Sequence, residues 1–299
     1  MKTQLVKAQN QARGAFDFGR IRENKPRGFP HEVGELRSIS NLFYWAHAWS
    51  DEGGLIEEHP HQGFEIMSYV IRGELSHYDN KNKAWKSLKA GGAQLIKAGN
   101  GITHAEKFMP NTAIFQIWMD PNLRKTLGIP ASYEDVSEIQ FVTENKEGYT
   151  KKNVVGNNSL LGATSEGVEM AEIKADTGTI NLNIDSSKIN LFHLIHGKIK
   201  SLEGELESND LLKVENGKLS FDIKEQEYLV NVEDITTPEI LVSYKITSDG
   251  ETSDCCGRIE KESVGSILIT SISADMISGK INVDNYDGSS MKGSFSIAK

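Results

Sequence analysis

Along the chain, short apolar runs recur at close spacing from Asn41 onward, separated by glycine and small polar clusters. Residues 42–49 (LFYWAHAW), 65–72 (EIMSYVIR), 74–78 (ELSHY), 93–97 (AQLIK) and 112–120 (TAIFQIWMD) predict strands. Runs this short, rich in β-branched and aromatic residues and bounded by turn formers, indicate a β-sandwich or barrel. Residues 1–41 are mixed, rich in arginine and glycine, and read as an arm or lead-in strands. Residues 121–134 read as a connection with a helical turn.

Residues 143–157 (TENKEGYTKKNVVGN) are polar and predict a second boundary. Strand patterns return at 179–184, 190–196, 219–223 and 228–232. Residues 190–197 repeat the layout of 66–73, an apolar strand ending at glycine and followed by a more polar strand. This predicts a diverged second copy of the barrel, closed by 240–246. Runs at 266–272, 277–283 and 292–298 fit neither barrel and are expected to form a β appendage. The expected class is all-β, with two barrels over 1–140 and 155–246 and an appendage over 247–299.

Composition narrows the partners. The 299 residues are 38% hydrophobic and 25% charged, as in a folded globular chain. A net charge of −9 argues against an electrostatic grip on nucleic acid or an anionic membrane. The two cysteines, Cys255 and Cys256, are adjacent, and neighbours rarely bridge because the peptide between them would be strained. No disulfide framework is expected, which suits a reducing compartment. Residues 1–14 lack the apolar core of a signal peptide, and no run approaches the ~18 apolar residues of a membrane helix. The cytoplasm is the expected location.

The chemistry gathers in two motifs. One is His59-Pro60-His61-Gln62-Gly63-Phe64-Glu65, and the other runs from Gly99 to Glu106 (GNGITHAE). Residues i and i+2 of a strand share a face. His59 and His61 therefore project together, as do His104 and Glu106. Two such pairs on facing strands converge four ligands on one point. Three imidazoles and a carboxylate suit iron, nickel, cobalt, copper, manganese or zinc, whereas a closed structural zinc site more often uses cysteine. Glu65, four residues after His61, is a rival for the fourth ligand. His47 and His77 lie on predicted strands, facing either the barrel mouth or solvent. Trp45, Trp49, Phe115 and Trp118 read as core, with a lining role for an aromatic pocket as the alternative.

These motifs, together with Phe115–Pro121 (FQIWMDP) and the glycine at 73, resemble the pirin family of the cupin superfamily. The resemblance is strong over residues 10 to 135 and weaker to about 246. It implies a bicupin, two stacked β-sandwich barrels with metal only in the first. It also implies His59, His61, His104 and Glu106 as the ligands, and so favours Glu106 over Glu65. The spacing of His193 and His196 does not suit one strand face, so no second site is expected. The segment after 246 departs from the family pattern.

Two function classes follow from the resemblance. The first is a quercetin 2,3-dioxygenase-like enzyme, with iron the first expected metal, a flavonol and dioxygen as substrates, and Glu106 as general base. The second is a metal- and redox-dependent regulatory protein that binds a protein partner, which suits the acidic composition better than direct contact with nucleic acid.

Overall fold

A computed structural model of the chain describes residues 2–36, 39–156, 158–175, 178–183, 188–201, 204–215, 218–223 and 227–235, and beyond them the backbone of five strands between 241 and 298. The chain divides into two compact units, 1–236 and 237–299.

The first unit holds two β-sandwich barrels of the cupin type. In the first barrel a seven-stranded antiparallel sheet has the order 132–136, 93–97, 65–72, 112–119, 42–50, 21–27, 12–16. It faces a four-stranded sheet ordered 54–61, 102–108, 74–79, 86–89. Ile21, Ala48, Val70 and Ile114 of the large sheet pack against Leu75, Leu88 and Phe108 of the small one. The second barrel repeats this plan. Strand 188–196 occupies the place of 65–72 and, after Gly197, leads into 198–201, just as Gly73 leads into 74–79. Both glycines have positive φ (76° and 98°), which a larger residue adopts only at a cost. At Gly73 a Cβ would also lie 2.8 Å from the Asn111 carbonyl oxygen.

The two large sheets lie back to back. Trp45, Tyr69, Phe115 and Ile117 of the first barrel share one apolar layer with Val154, Met170, Leu191 and Leu211 of the second. Strand 65–72 therefore buries both faces, which explains why its apolar residues fall on both faces rather than alternating. Leaving water stabilises each large side chain of this layer by roughly 1.5–3 kcal/mol. Polar ties cross the layer as well. The buried Lys152 ammonium lies 2.9 Å from Glu172, which also accepts from the Tyr69 hydroxyl, and Lys152 donates to the Gly91 carbonyl at 3.3 Å.

Three features differ from expectation. The lead-in residues serve both barrels: 12–16 and 21–27 join the first, whereas Lys2–Val6 pairs with Leu211–Glu215 of the second. The polar stretch read as a boundary at 143–157 contains the hairpin Thr143–Lys146 and Tyr149–Val155 of the second large sheet. Its lysines disguise an element whose Val154 and Val155 are core and whose Lys152 is paired. Residues 241–248, expected in part to close the second barrel, pair with 251–258 as a two-stranded ribbon in the second unit. The other described strands of the second unit, 264–272, 276–284 and 290–298, form a three-stranded sheet. The side chains of Cys255 and Cys256 lie outside the described residues.

His193 is fully buried in the layer between the barrels, 4.8 Å from the Phe115 ring, 5.7 Å from Trp45 and 6.0 Å from His47. His196 is exposed. Neither enters the second barrel, whose interior is filled instead by Phe192, Leu194 and Phe221. Burial holds His193 neutral, well below the ordinary imidazole value. Burial, aided by Arg72, lowers His47 to about 4. Both rings take up a proton more readily in the unfolded chain, so stability falls as pH drops below about 6.5. For His47 the fall continues to about pH 4, at about 1.4 kcal/mol per pH unit. Urea midpoints of the apo protein at pH 7 and pH 5 should therefore differ more for the native chain than for His193→Leu.

Candidate metal centre

Strand 102–108 is the middle strand of the site. Its register puts His104 opposite His59 on one side and opposite Asp79 on the other. Ile102 lies across from His61, and Glu106 across from His77. On the side of 54–61 the pairing jumps from His104↔His59 to Glu106↔Ile56, a bulge that re-aims the ligand side chains. The approach to the strand requires glycine at position 99. Its φ is +48°, and a Cβ there would lie 2.3 Å from the Ile129 carbonyl oxygen.

The three histidines converge as the i, i+2 pattern predicts. Ring centroids are 4.7 Å apart for His59 and His61, 4.4 Å for His59 and His104, and 4.9 Å for His61 and His104. One nitrogen from each lies within 4.8 Å of the other two. His104 is buried, while His59 and His61 are partly exposed, so the cluster reaches the barrel mouth. His59 Nδ1 lies 2.7 Å from the Glu57 carbonyl oxygen and so carries the hydrogen, leaving Nε2 as the free lone pair. His61 Nε2 and both nitrogens of His104 are buried without a hydrogen-bond partner among the described residues. Burial, then the neighbouring His59, lowers His61 to about 3, and burial and three neighbouring imidazoles lower His104 further. These rings are neutral at pH 7, the state in which imidazole binds metal.

Glu106 is fully buried beneath them. Its Oε1 accepts from Ser68 Oγ at 3.2 Å and from Gln94 Nε2 at 3.0 Å, and its Oε2 accepts from Gln116 Nε2 at 2.6 Å. The amides are oriented by donors behind them. The Tyr133 hydroxyl donates to Gln94 Oε1, and the Trp118 indole N–H to Gln116 Oε1, both at 3.3 Å. Each amide therefore turns its NH2 toward Glu106. Burial pushes the carboxyl up to about 7 against the pull of these three donors.

Glu106 does not fall within the cluster of His59, His61 and His104. It shares a second cluster, of the same 4.8 Å limit, with His104 and His77. Glu65 joins neither. It is buried on the large sheet, where it accepts from the Thr164 and Ser165 amides at 2.7 and 2.9 Å and from Ser165 Oγ at 2.7 Å, holding the segment between the barrels. His77 lines neither mouth nor surface but is buried in the barrel. Of the four aromatics read as core, Trp45 and Phe115 are buried. Trp49 is partly exposed beside His47, and Trp118 partly exposed beside His61. Ser68, Gln94 and Gln116 went unread in the sequence. Their signal is a polar residue on the inward face of an otherwise apolar strand.

The donor set fits a divalent transition ion. Neutral imidazoles with unpartnered nitrogens converge near a buried carboxyl group, and such orphaned buried groups are otherwise costly. A hollow of about 540 Å³ near Arg20, Gly54, Trp85 and Pro110 contains no histidine.

Comparison with known proteins agrees with this architecture. Residues 38–119 match the family described as Pirin. A pirin-like protein of Caulobacter vibrioides is 31% identical over 40% of this chain and 41% of its own length. The chain thus spans about two fifths of that curated relative. Among solved structures, the bacterial pirin YhhW from Escherichia coli, in complex with nickel(II), superposes with a TM-score of 0.66. The superposition covers 79% of this chain and all of YhhW at 19% identity. A quercetin 2,3-dioxygenase from Acinetobacter baumannii superposes with a TM-score of 0.67 over 85% of this chain and 84% of its own, at 14% identity. No described helix is long and apolar enough to cross a membrane. The pirin match thus falls on the barrel that carries the histidine cluster, and the two-barrel fold around it is shared with a solved bacterial pirin.

Proposed function

We propose that the first barrel holds one divalent transition ion through His59, His61, His104 and Glu106, iron in our reading, and that the loaded protein opens a flavonol such as quercetin with dioxygen. Nickel, the ion of the YhhW complex, is the next candidate. The observation that carries the substrate class is the aromatic wall beside His61. Phe64 and Trp118 lie 5.1 and 5.3 Å from the His61 ring and stack on each other at 5.1 Å and 27°. Phe43 meets Phe64 edge-on at 5.4 Å. All three are partly exposed. A flat aromatic ligand is the shape such a wall accepts.

A bound ion supplies Lewis-acid polarisation of a substrate hydroxyl and access to oxygen chemistry. The chain's own residues do the rest. Phe64 and Trp118 orient the ring system, and Glu106 takes the hydroxyl proton. Ser68, Gln94 and Gln116 hold that carboxyl in place and are already aimed before substrate arrives.

The test is oxygen uptake with loss of flavonol absorbance when quercetin is added in air to the full chain loaded with Fe(II), Ni(II), Co(II), Cu(II), Mn(II) or Zn(II). Turnover that disappears in His59→Ala supports the reading. Glu106→Gln, which keeps the shape but not the base, should fold normally and lose about 100-fold or more of the rate. Stoichiometric metal with no turnover for any of these ions would overturn the enzymatic reading and favour a metal-dependent regulatory protein.

A further inference from the structure

We propose that His77 is a metal ligand, and that with His104 and Glu106 it forms a second, deeper seat for the ion inside the first barrel. This rests on the reading that the barrel binds a divalent metal. The seat arises from sheet register. Strand 102–108 is hydrogen-bonded to 54–61 on one side and to 74–79 on the other, so its inward residues meet ligand-type side chains from both. His77 sits directly across from Glu106. One ligand atom from each of His77, His104 and Glu106 lies within 4.8 Å of the others, and all three residues are buried.

The hydrogen bonds around His77 fix which nitrogen is available. Asp79 Oδ2 lies 3.0 Å from His77 Nε2. Asp79 also accepts from the amides of Lys81 and Asn82 at 2.8 and 2.6 Å and from Asn82 Nδ2 at 2.8 Å. A carboxyl group that collects so many donors is an acceptor, so His77 Nε2 carries the hydrogen and the lone pair resides on Nδ1. That Nδ1 is buried and has no partner among the described residues. The Tyr133 ring, stacked on His77 at 4.2 Å and 17°, fixes the plane of the imidazole. A carboxylate on the far nitrogen is the arrangement that normally orients a ligating histidine.

Glu106 has capacity for the ion. A carboxylate offers about four lone-pair sites. Two donors occupy Oε1 and one occupies Oε2, which leaves a site on Oε2. The two seats are alternatives. They share His104, and also Glu106 where it completes the mouth site, and a neutral imidazole has one lone pair to give. The barrel therefore holds one ion, either at the mouth with His59 and His61 or beneath it with His77.

Co(II) tests this, because its visible absorption reports ligand set and geometry. The apo full-length protein is titrated with Co(II), and bound metal is counted after dialysis. The native chain should bind one equivalent. His59→Ala/His61→Ala, which disables only the mouth seat at two partly exposed positions, should still bind one equivalent with shifted visible bands. Adding His77→Leu to that pair should abolish binding. In the otherwise native chain, His77→Leu should keep one equivalent, and the native spectrum should be a weighted sum of the spectra of His77→Leu and the double variant. No bound Co(II) in a folded double variant, or coincident spectra for the native chain and His77→Leu, would overturn the deeper seat. No Co(II) bound by the native chain would instead refute the metal reading beneath it.

Discussion

Replacing His104 with alanine is expected to abolish metal binding. His104 is the one side chain common to both ligand clusters, so its loss disables the mouth and the deeper seat together. Loss of an outer partner of a metal ligand typically weakens affinity 10- to 100-fold, and loss of a ligand itself should weaken it by more than about 100-fold. The fold should survive. His104 lies in the middle strand of the small sheet, and its backbone pairing to 54–61 and 74–79 is independent of the side chain. Alanine also removes two buried nitrogens that have no hydrogen-bond partner among the described residues. Circular dichroism at native intensity, with no metal retained on dialysis, is the expected pair of results. His59→Ala should be milder, because it leaves the deeper cluster intact.

The second large effect falls on stability. Glu65→Ala should destabilise the chain by about 3–5 kcal/mol, because each buried donor left without its acceptor costs roughly 1–3 kcal/mol. Three donors, the amides of Thr164 and Ser165 and the Ser165 hydroxyl, would lose their acceptor in a buried setting. Those donors belong to the segment joining the barrels, whose Leu161 and Val168 are part of the shared apolar layer. Loosening it should weaken the packing between the barrels as well as the local bonds. Urea unfolding measures the loss. At low urea, where the variant is still folded, Co(II) binding should match that of the native chain. Glu65 and Glu106 are both glutamates on inward or buried strand faces, and this experiment separates their roles.

The histidine cluster was legible because strand geometry is local. A His-x-His and a His-x-Glu each aim two side chains to one face whatever the rest of the chain does, and three of the four residues converge as that rule requires. The same rule could not place Glu106 relative to His77. That depends on which strand pairs with 102–108 on its second edge, and with what register, and such long-range pairing leaves no mark in a window of residues. The polar ring beneath the histidines was visible in principle. Gln94 in AQLIK, Gln116 in TAIFQIWMD and Ser68 in EIMSYVIR each interrupt an apolar run at an inward position. The repeat of 66–73 at 190–197 was legible for a related reason, since glycine at a positive-φ turn punctuates both. Lys2–Val6 was not, because an edge strand donated to the distant barrel has no local signature. The hairpin at 143–155 was hidden by its lysines, one of which is buried against Glu172.

The histidine cluster of the first barrel should hold one divalent ion. The direct measurement is metal per chain by mass spectrometry after equilibrium dialysis of the apo protein against Co(II), for the native chain and His104→Ala side by side. One ion per native chain and none in a folded His104→Ala is the predicted result, and no ion in the native chain, or equal amounts in both, would contradict it.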